Sequence, residues 1–187
     1  MFVEAGAHDG YTQSNTYWLE RHRGWSGVLI EAVPSLAAKC ARRRRAQVFQ
    51  CALVGAADPG ATVTIRFGDL MSTVEAGQGS AVEALRHAEG GLEVTGQRTY
   101  AVEVPARTLT SVLDEAGLGS PDLVTLDIEG HELEVLRGLD LDRHAPRFLL
   151  LEMLEMDKQL PVFEDVLDGR YEIAEVLSHC DVLFRRL

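Results

Sequence analysis

Apolar positions recur along this chain with strand and helix periods in alternation. Phe2 and Val3 end a buried strand. Residues 15–22 follow as a helix with Trp18 and Leu19 inward, Ser14 or Asn15 as its cap and Gly24 as its stop. Gly27-Val28-Leu29-Ile30 forms a second short buried strand, Pro34 and Ser35 open a second helix, and residues 47–53 make a third strand. Strands and helices alternating this closely predict a parallel sheet.

The middle departs from that rhythm. Val63-Thr64-Ile65-Arg66-Phe67 and Tyr100-Ala101-Val102-Glu103-Val104 alternate like half-buried strands and predict an antiparallel pair. Between them, residues 68–99 are glycine-rich and lack a firm period, a loop-rich insertion where a substrate-selecting lid would form around Asp69, Leu70, Met71 and Ser72; residues 83–89 suggest a short helix.

From Arg107 the alternation resumes. Leu109, Val112, Leu113 and Ala116 fall at i, i+3, i+4 and i+7, with Thr108 to cap the helix and Gly117 to end it. Residues 123–127 read as a buried strand, Glu129 or Gly130 begins a helix ending at Gly138, residues 147–152 form a further strand and residues 158–167 a final helix. Residues 171–177 and 181–187 flank a polar turn, so one strand of this terminal hairpin runs antiparallel to its neighbours.

Composition narrows the class. The 187 residues suit one domain, and 46% hydrophobic with 25% charged residues is the balance of a soluble globular protein. No apolar run approaches the ~20 residues that span a bilayer, and no signal peptide opens the chain, so a cytoplasmic location is expected. A net charge of -11 argues against nucleic acid or an anionic membrane as partner. Consecutive arginines at 42–45 point around a helix axis rather than to one face, and read as a solvated helix end facing the C-terminal dipole, with a local docking patch as the alternative. Cys40, Cys51 and Cys180 have no C-x-x-C spacing and are expected as reduced thiols. The first strand starts the chain, so a segment covering the substrate is expected from elsewhere in it or from a second subunit, which suggests a homodimer.

The candidate chemistry begins at Phe2-Val3-Glu4-Ala5-Gly6-Ala7-His8-Asp9-Gly10, a strand followed by a turn with glycines at Gly6 and Gly10. A dinucleotide fingerprint needs G-x-G-x-x-G under a pyrophosphate, whereas this turn carries Glu4 and Asp9, which repel phosphate and suit a cationic ligand such as S-adenosylmethionine. An ordinary strand-turn-helix corner is the alternative. Glu31 ends the second strand near the ~20-residue distance expected of a ribose-binding acid. Leu126-Asp127-Ile128-Glu129-Gly130-His131-Glu132 is the densest set of acid-base groups, with His131 and Glu129 as candidate bases for a hydroxyl proton. No metal is expected, because the second histidine that a site of Asp127, Glu129, His131 and Glu132 would want is missing.

Together these residues resemble the FkbM-like S-adenosylmethionine-dependent methyltransferases. The resemblance also takes in Ser14-Asn15-Thr16 with Leu19-Glu20 after it, and Gly24-Trp25-Ser26-Gly27 leading to Ile30-Glu31. It implies a Rossmann-like class I methyltransferase fold, a seven-stranded mostly parallel sheet with an antiparallel terminal hairpin strand, and O-methylation of a small natural product, sugar or glycan. By position it implies that Glu4, Gly6, Ala7, His8, Asp9 and Gly10 hold the methionine part with Ser14 and Asn15 nearby, that Glu31 holds the ribose, and that Cys51 and Ala52 flank the adenine. Asp127 and Glu129 would face the sulfonium and the acceptor, Asp127 orienting the cofactor. His8 replaces a usual asparagine and Ala32 a frequent proline. An NAD-dependent oxidoreductase and a nucleoside-binding or docking module without catalysis are the competing classes.

Overall fold

The computed structural model describes residues 1–58, 60–68, 72–74 and 99–187. Of the lid expected around Asp69, Leu70, Met71 and Ser72 only Ser72 is among them, and the short helix expected at residues 83–89 lies outside them.

The main sheet has seven strands. In chain order they are β1 (Phe2–Ala5), β2 (Gly27–Ile30), β3 (Gln47–Phe49), β8 (Leu123–Leu126), β9 (Phe148–Glu152), β10 (Tyr171–Val176) and β11 (Asp181–Arg186). Their spatial order is β10-β11-β9-β8-β1-β2-β3. β3, β2, β1, β8 and β9 are mutually parallel, and β11 lies antiparallel between β9 and β10. The hairpin expectation therefore holds, with the second hairpin strand inserted against the parallel body.

Among the described residues five helices cover the two faces: α1 (Tyr17–Arg23), α2 (Pro34–Arg43), α3 (Leu109–Glu115), α4 (Glu132–Arg137) and α5 (Met156–Leu167). α3 starts as its sequence directs, the Thr108 side chain accepting the Ser111 N–H. Its Leu109, Val112 and Leu113 join Val135, Leu136, Phe163 and Leu167 over one face of the sheet, against Val3, Val28, Val124, Leu149 and Phe184. Phe2, Leu29 and Cys40 of α2 pack on the opposite face. Both faces of β1 are thus covered, and all four of its residues are buried, Glu4 included.

Two elements differ from the sequence expectation. Residues 47–53 do not form one strand. β3 ends at Phe49, and Ala52–Leu53 becomes β4 of a second sheet, ordered β4-β7-β5-β6, with β5 at Thr62–Arg66, β6 at Thr73–Val74 and β7 at Ala101–Arg107. A uniformly apolar run does not disclose that its end has changed sheets. The expected antiparallel pairing of β5 with β7 is present, with Ile65 opposite Val102. In α1, Trp18 is exposed beneath the Arg23 guanidinium, 4.6 Å from the ring centroid, and Glu20 is the buried residue. The helix presents its acid inward because a cation is waiting there.

Candidate active site

The chain leaves β1 at Gly6, whose φ is +81° and whose missing Cβ would lie 1.8 Å from the carbonyl oxygen of Asp127. Only glycine lets the β1 and β8 ends approach this closely. The amides of Gly6 and Ala7 both donate to the Ile30 carbonyl, 3.1 and 3.2 Å away, so the turn is tied to β2 as well.

Behind the turn, a buried network centred on Arg44 sets the path of residues 8–16. Arg44 has no exposed side-chain surface; Nε donates to Glu20 at 3.1 Å, Nη1 to the Gly10 carbonyl at 3.1 Å and to Ser14 Oγ at 3.0 Å, and Nη2 to Thr16 Oγ1 at 2.9 Å. Glu4 accepts from Ser14 Oγ at 3.0 Å, from the Asn15 amide at 2.8 Å and from Thr16 Oγ1, with Arg44 at 3.5 Å. Burial raises the Glu4 carboxyl against the pull of these partners. Asp9 accepts from the Tyr11 and Thr12 amides and from Arg43. These partners outweigh its desolvation and hold it well below the usual carboxylate range.

These contacts turn one side of the loop away from the cleft. Glu4, Asp9, Ser14 and Asn15 stand behind the loop and shape it; none of them lines the cleft, nor do Ala7 and Gly10. Ala7 is packed into the core, and Gly10, at φ +79°, passes close over the Cys40 backbone. The arginine run is likewise not a uniformly solvated helix end. Arg44 continues the i, i+4 stripe of Leu36 and Cys40 into the interior, whereas Arg45 remains 75% exposed.

In front of the turn a cleft opens at the carboxyl ends of β1, β2, β8 and β9. The chain order reverses between β1 and β8, the switch point at which open α/β sheets bind ligands. Gly6, His8, Thr12 and Gln13 form one rim, and Val33, Leu36, Cys51, Ala52, Leu53 and Ile65 an apolar wall. Glu31, Asp127, Glu129, His131 and Glu152 supply the polar surface, and no lysine or arginine is among the described lining residues.

Each acid has a distinct setting. Glu31 is 6% exposed; Oε1 accepts the Val33 amide and Oε2 the His8 amide, each at 2.8 Å, while burial pushes its carboxyl up to about 7. Glu129, at φ +58°, is raised to about 7 by burial and by the charge of Asp127. Asp127 is raised by burial, with Glu152 as a hydrogen-bond partner in opposition and Asp181 adding to the rise. Glu152 is pushed up to about 8 by burial and by Asp127, Glu129 and Glu132. Burial lowers His131, against Glu134, so its imidazole favours the neutral form. Glu132 turns away from the cleft, accepting the Ile128 amide at 2.8 Å and the Gly130 amide at 3.2 Å, which fixes the turn carrying Glu129. The four-residue grouping of Asp127, Glu129, His131 and Glu132 is therefore not assembled. Instead, oxygens of Asp127, Glu129 and Glu152 all lie within 4.8 Å of one another.

The model of the methyltransferase FkbM domain matches residues 4–177. The chain belongs to the FkbM methyltransferase family. No curated protein matches it. Among solved structures it is similar to a ribosomal protein L11 methylase from Lactobacillus delbrueckii subsp. bulgaricus, at 12% identity and a TM-score of 0.39, covering 100% of this chain and 69% of that one. So remote a likeness adds nothing to the assignment of this FkbM methyltransferase, which rests on the family match.

Of the residues singled out in the sequence of this FkbM methyltransferase, the cleft gathers Gly6, His8, Glu31, Cys51, Ala52, Asp127, Glu129 and His131. Pattern reasoning missed Thr12, Gln13, Leu36, Ile65 and Glu152. Glu152 carried one available signal, an acid ending an apolar strand as Glu31 does. Ile65 had none, because the second sheet brings it there.

Proposed function

We propose that this FkbM methyltransferase uses S-adenosylmethionine to methylate a hydroxyl of a small natural product, sugar or glycan. The observation that carries the proposal is the acidic character of the cleft: four carboxyl groups and no described lysine or arginine line a pocket at the switch point of the sheet. That donor set opposes a pyrophosphate and accommodates a ligand bearing a sulfonium and an ammonium group.

Glu31 would receive the ribose hydroxyls, its orientation already set by the His8 and Val33 amides. The wall of Leu36, Cys51, Ala52 and Ile65 would take the adenine, and Gly6 with His8 would border the methionine part. When bound, the cofactor supplies an electrophilic methyl group. Asp127 lies at the end of β8, where its charge would face the sulfonium. Glu129, raised to about 7, has the basicity a general base needs near neutral pH and would take up the proton of the acceptor hydroxyl. His131, neutral and also in the cleft, is the second candidate for that proton.

Calorimetric titration with S-adenosylmethionine, S-adenosylhomocysteine and NAD tests the proposal. Micromolar binding of the first two, and none of NAD, is expected. Binding of NAD alone would overturn it, and nucleoside binding without turnover over a panel of hydroxylated acceptors would favour a binding module.

A further inference from the structure

Glu152 closes the acidic end of the cleft from the neighbouring strand. It follows Leu151, which is paired with Leu126, so the β8 and β9 ends place Asp127 and Glu152 side by side. Oxygens of the two carboxyls lie within 4.8 Å of each other. Two desolvated carboxyls this close favour a state in which one of the pair holds a proton, because two adjacent negative charges repel. Glu152 Oε2 is buried and accepts no hydrogen bond among the described residues. An ionised Glu152 would leave that oxygen unsatisfied beside further negative charge.

The described groups facing the pair are mostly further acids. Glu129, Glu132 and Asp181 are acids, Cys180 is a thiol, His131 is held toward its neutral form, and no described lysine or arginine lines the cleft.

We infer that Glu152 is a positioning residue: it holds the single proton of an Asp127–Glu152 pair and donates it to Asp127, so that Asp127 is the fixed anion facing the sulfonium. The inference rests on the cofactor reading above and adds to it how the anion is kept ionised in a desolvated site. Glu152 fits the proton-holding role, being pushed up to about 8. Deleting the donor leaves Asp127 buried among acids, where it takes up the proton itself and its charge is lost.

The readout is the ratio of affinities for S-adenosylmethionine and S-adenosylhomocysteine, which differ in the sulfonium charge, measured by calorimetry alongside thermal melting. Glu152→Gln retains an N–H donor toward Asp127 and is expected to keep the wild-type ratio at neutral pH. Glu152→Leu is expected to lose about tenfold in the ratio. Above about pH 8 the wild-type ratio should rise as Glu152 ionises and the pair gains a second charge, while Glu152→Gln stays flat. The ligand ammonium titrates alike against both proteins, so their comparison isolates Glu152.

A wild-type ratio that does not change with pH, or a Gln variant that rises in parallel with it, would overturn the inference even if the Leu variant fails to fold. So would a folded Leu variant that keeps the wild-type ratio, or a Gln variant that loses it. Wild-type protein that binds neither nucleoside would instead overturn the cofactor reading itself.

Discussion

A Cβ on Gly6 would stand 1.8 Å from the carbonyl oxygen of Asp127. The two residues end adjacent parallel strands on opposite sides of the topological switch, so their contact sets the width of the cleft. Gly6→Ala combines a clash against backbone with a positive φ, and is expected to cost about 2–4 kcal/mol and to abolish nucleoside binding. Urea unfolding and calorimetry check both parts; a stable variant with wild-type affinity would show that the approach is not needed.

Arg44 is expected to be the most sensitive charged position outside the cleft. Its removal leaves Glu4 and Glu20 buried without their common cation, and breaking buried pairs in this way costs about 3–5 kcal/mol. Arg44→Lys should recover only part of that, because an ammonium cannot reproduce donation from Nε, Nη1 and Nη2 to separate acceptors. Arg45→Ala, at an exposed side chain, should change stability by less than about 1 kcal/mol. Denaturant midpoints of the three variants provide the comparison.

The buried acids in and beside the cleft set a pH dependence of unusual sign. Glu31, Glu129, Glu132 and Glu152 all have carboxyls raised above the ordinary 4.5, to about 7 or 8. A group raised on folding stabilises the native state fully below its unfolded pKa and loses that contribution as pH climbs through the folded value. The ligand-free protein should therefore lose stability from these groups between about pH 4.5 and about pH 8. Glu129→Gln should melt higher than wild type at pH 8 and similarly near pH 4.5. Equal melting differences at the two pH values would count against the raised carboxyl.

Once an acceptor is in hand, Glu129→Gln should lower turnover by about 10²- to 10⁴-fold while changing cofactor affinity little, since general-base catalysis is what the substitution removes. An unaltered rate would transfer the role to His131, and His131→Ala would then be the slow variant.

The order of the main elements, the terminal hairpin and the acids at the ends of β1, β2 and β8 were legible in the residues alone, because period and glycine position are local properties. Local pattern also carried Gly6 to its place, since a strand-ending glycine is informative whatever it packs against. Which acids face the cleft was not legible. Glu4 and Asp9 sit in the same turn as His8, yet Arg44 and Arg43 draw them behind the loop, and a cation about 35 residues away leaves no mark on the turn's own sequence. Glu152 joins Asp127 only because β9 lies beside β8, and Ile65 reaches the cleft only because β4 leaves the main sheet. Spacing along the chain determined the fold and the strand ends at which the cleft opens; the pairing of buried charges, which depends on neighbours brought together from distant segments, was decided by the tertiary structure.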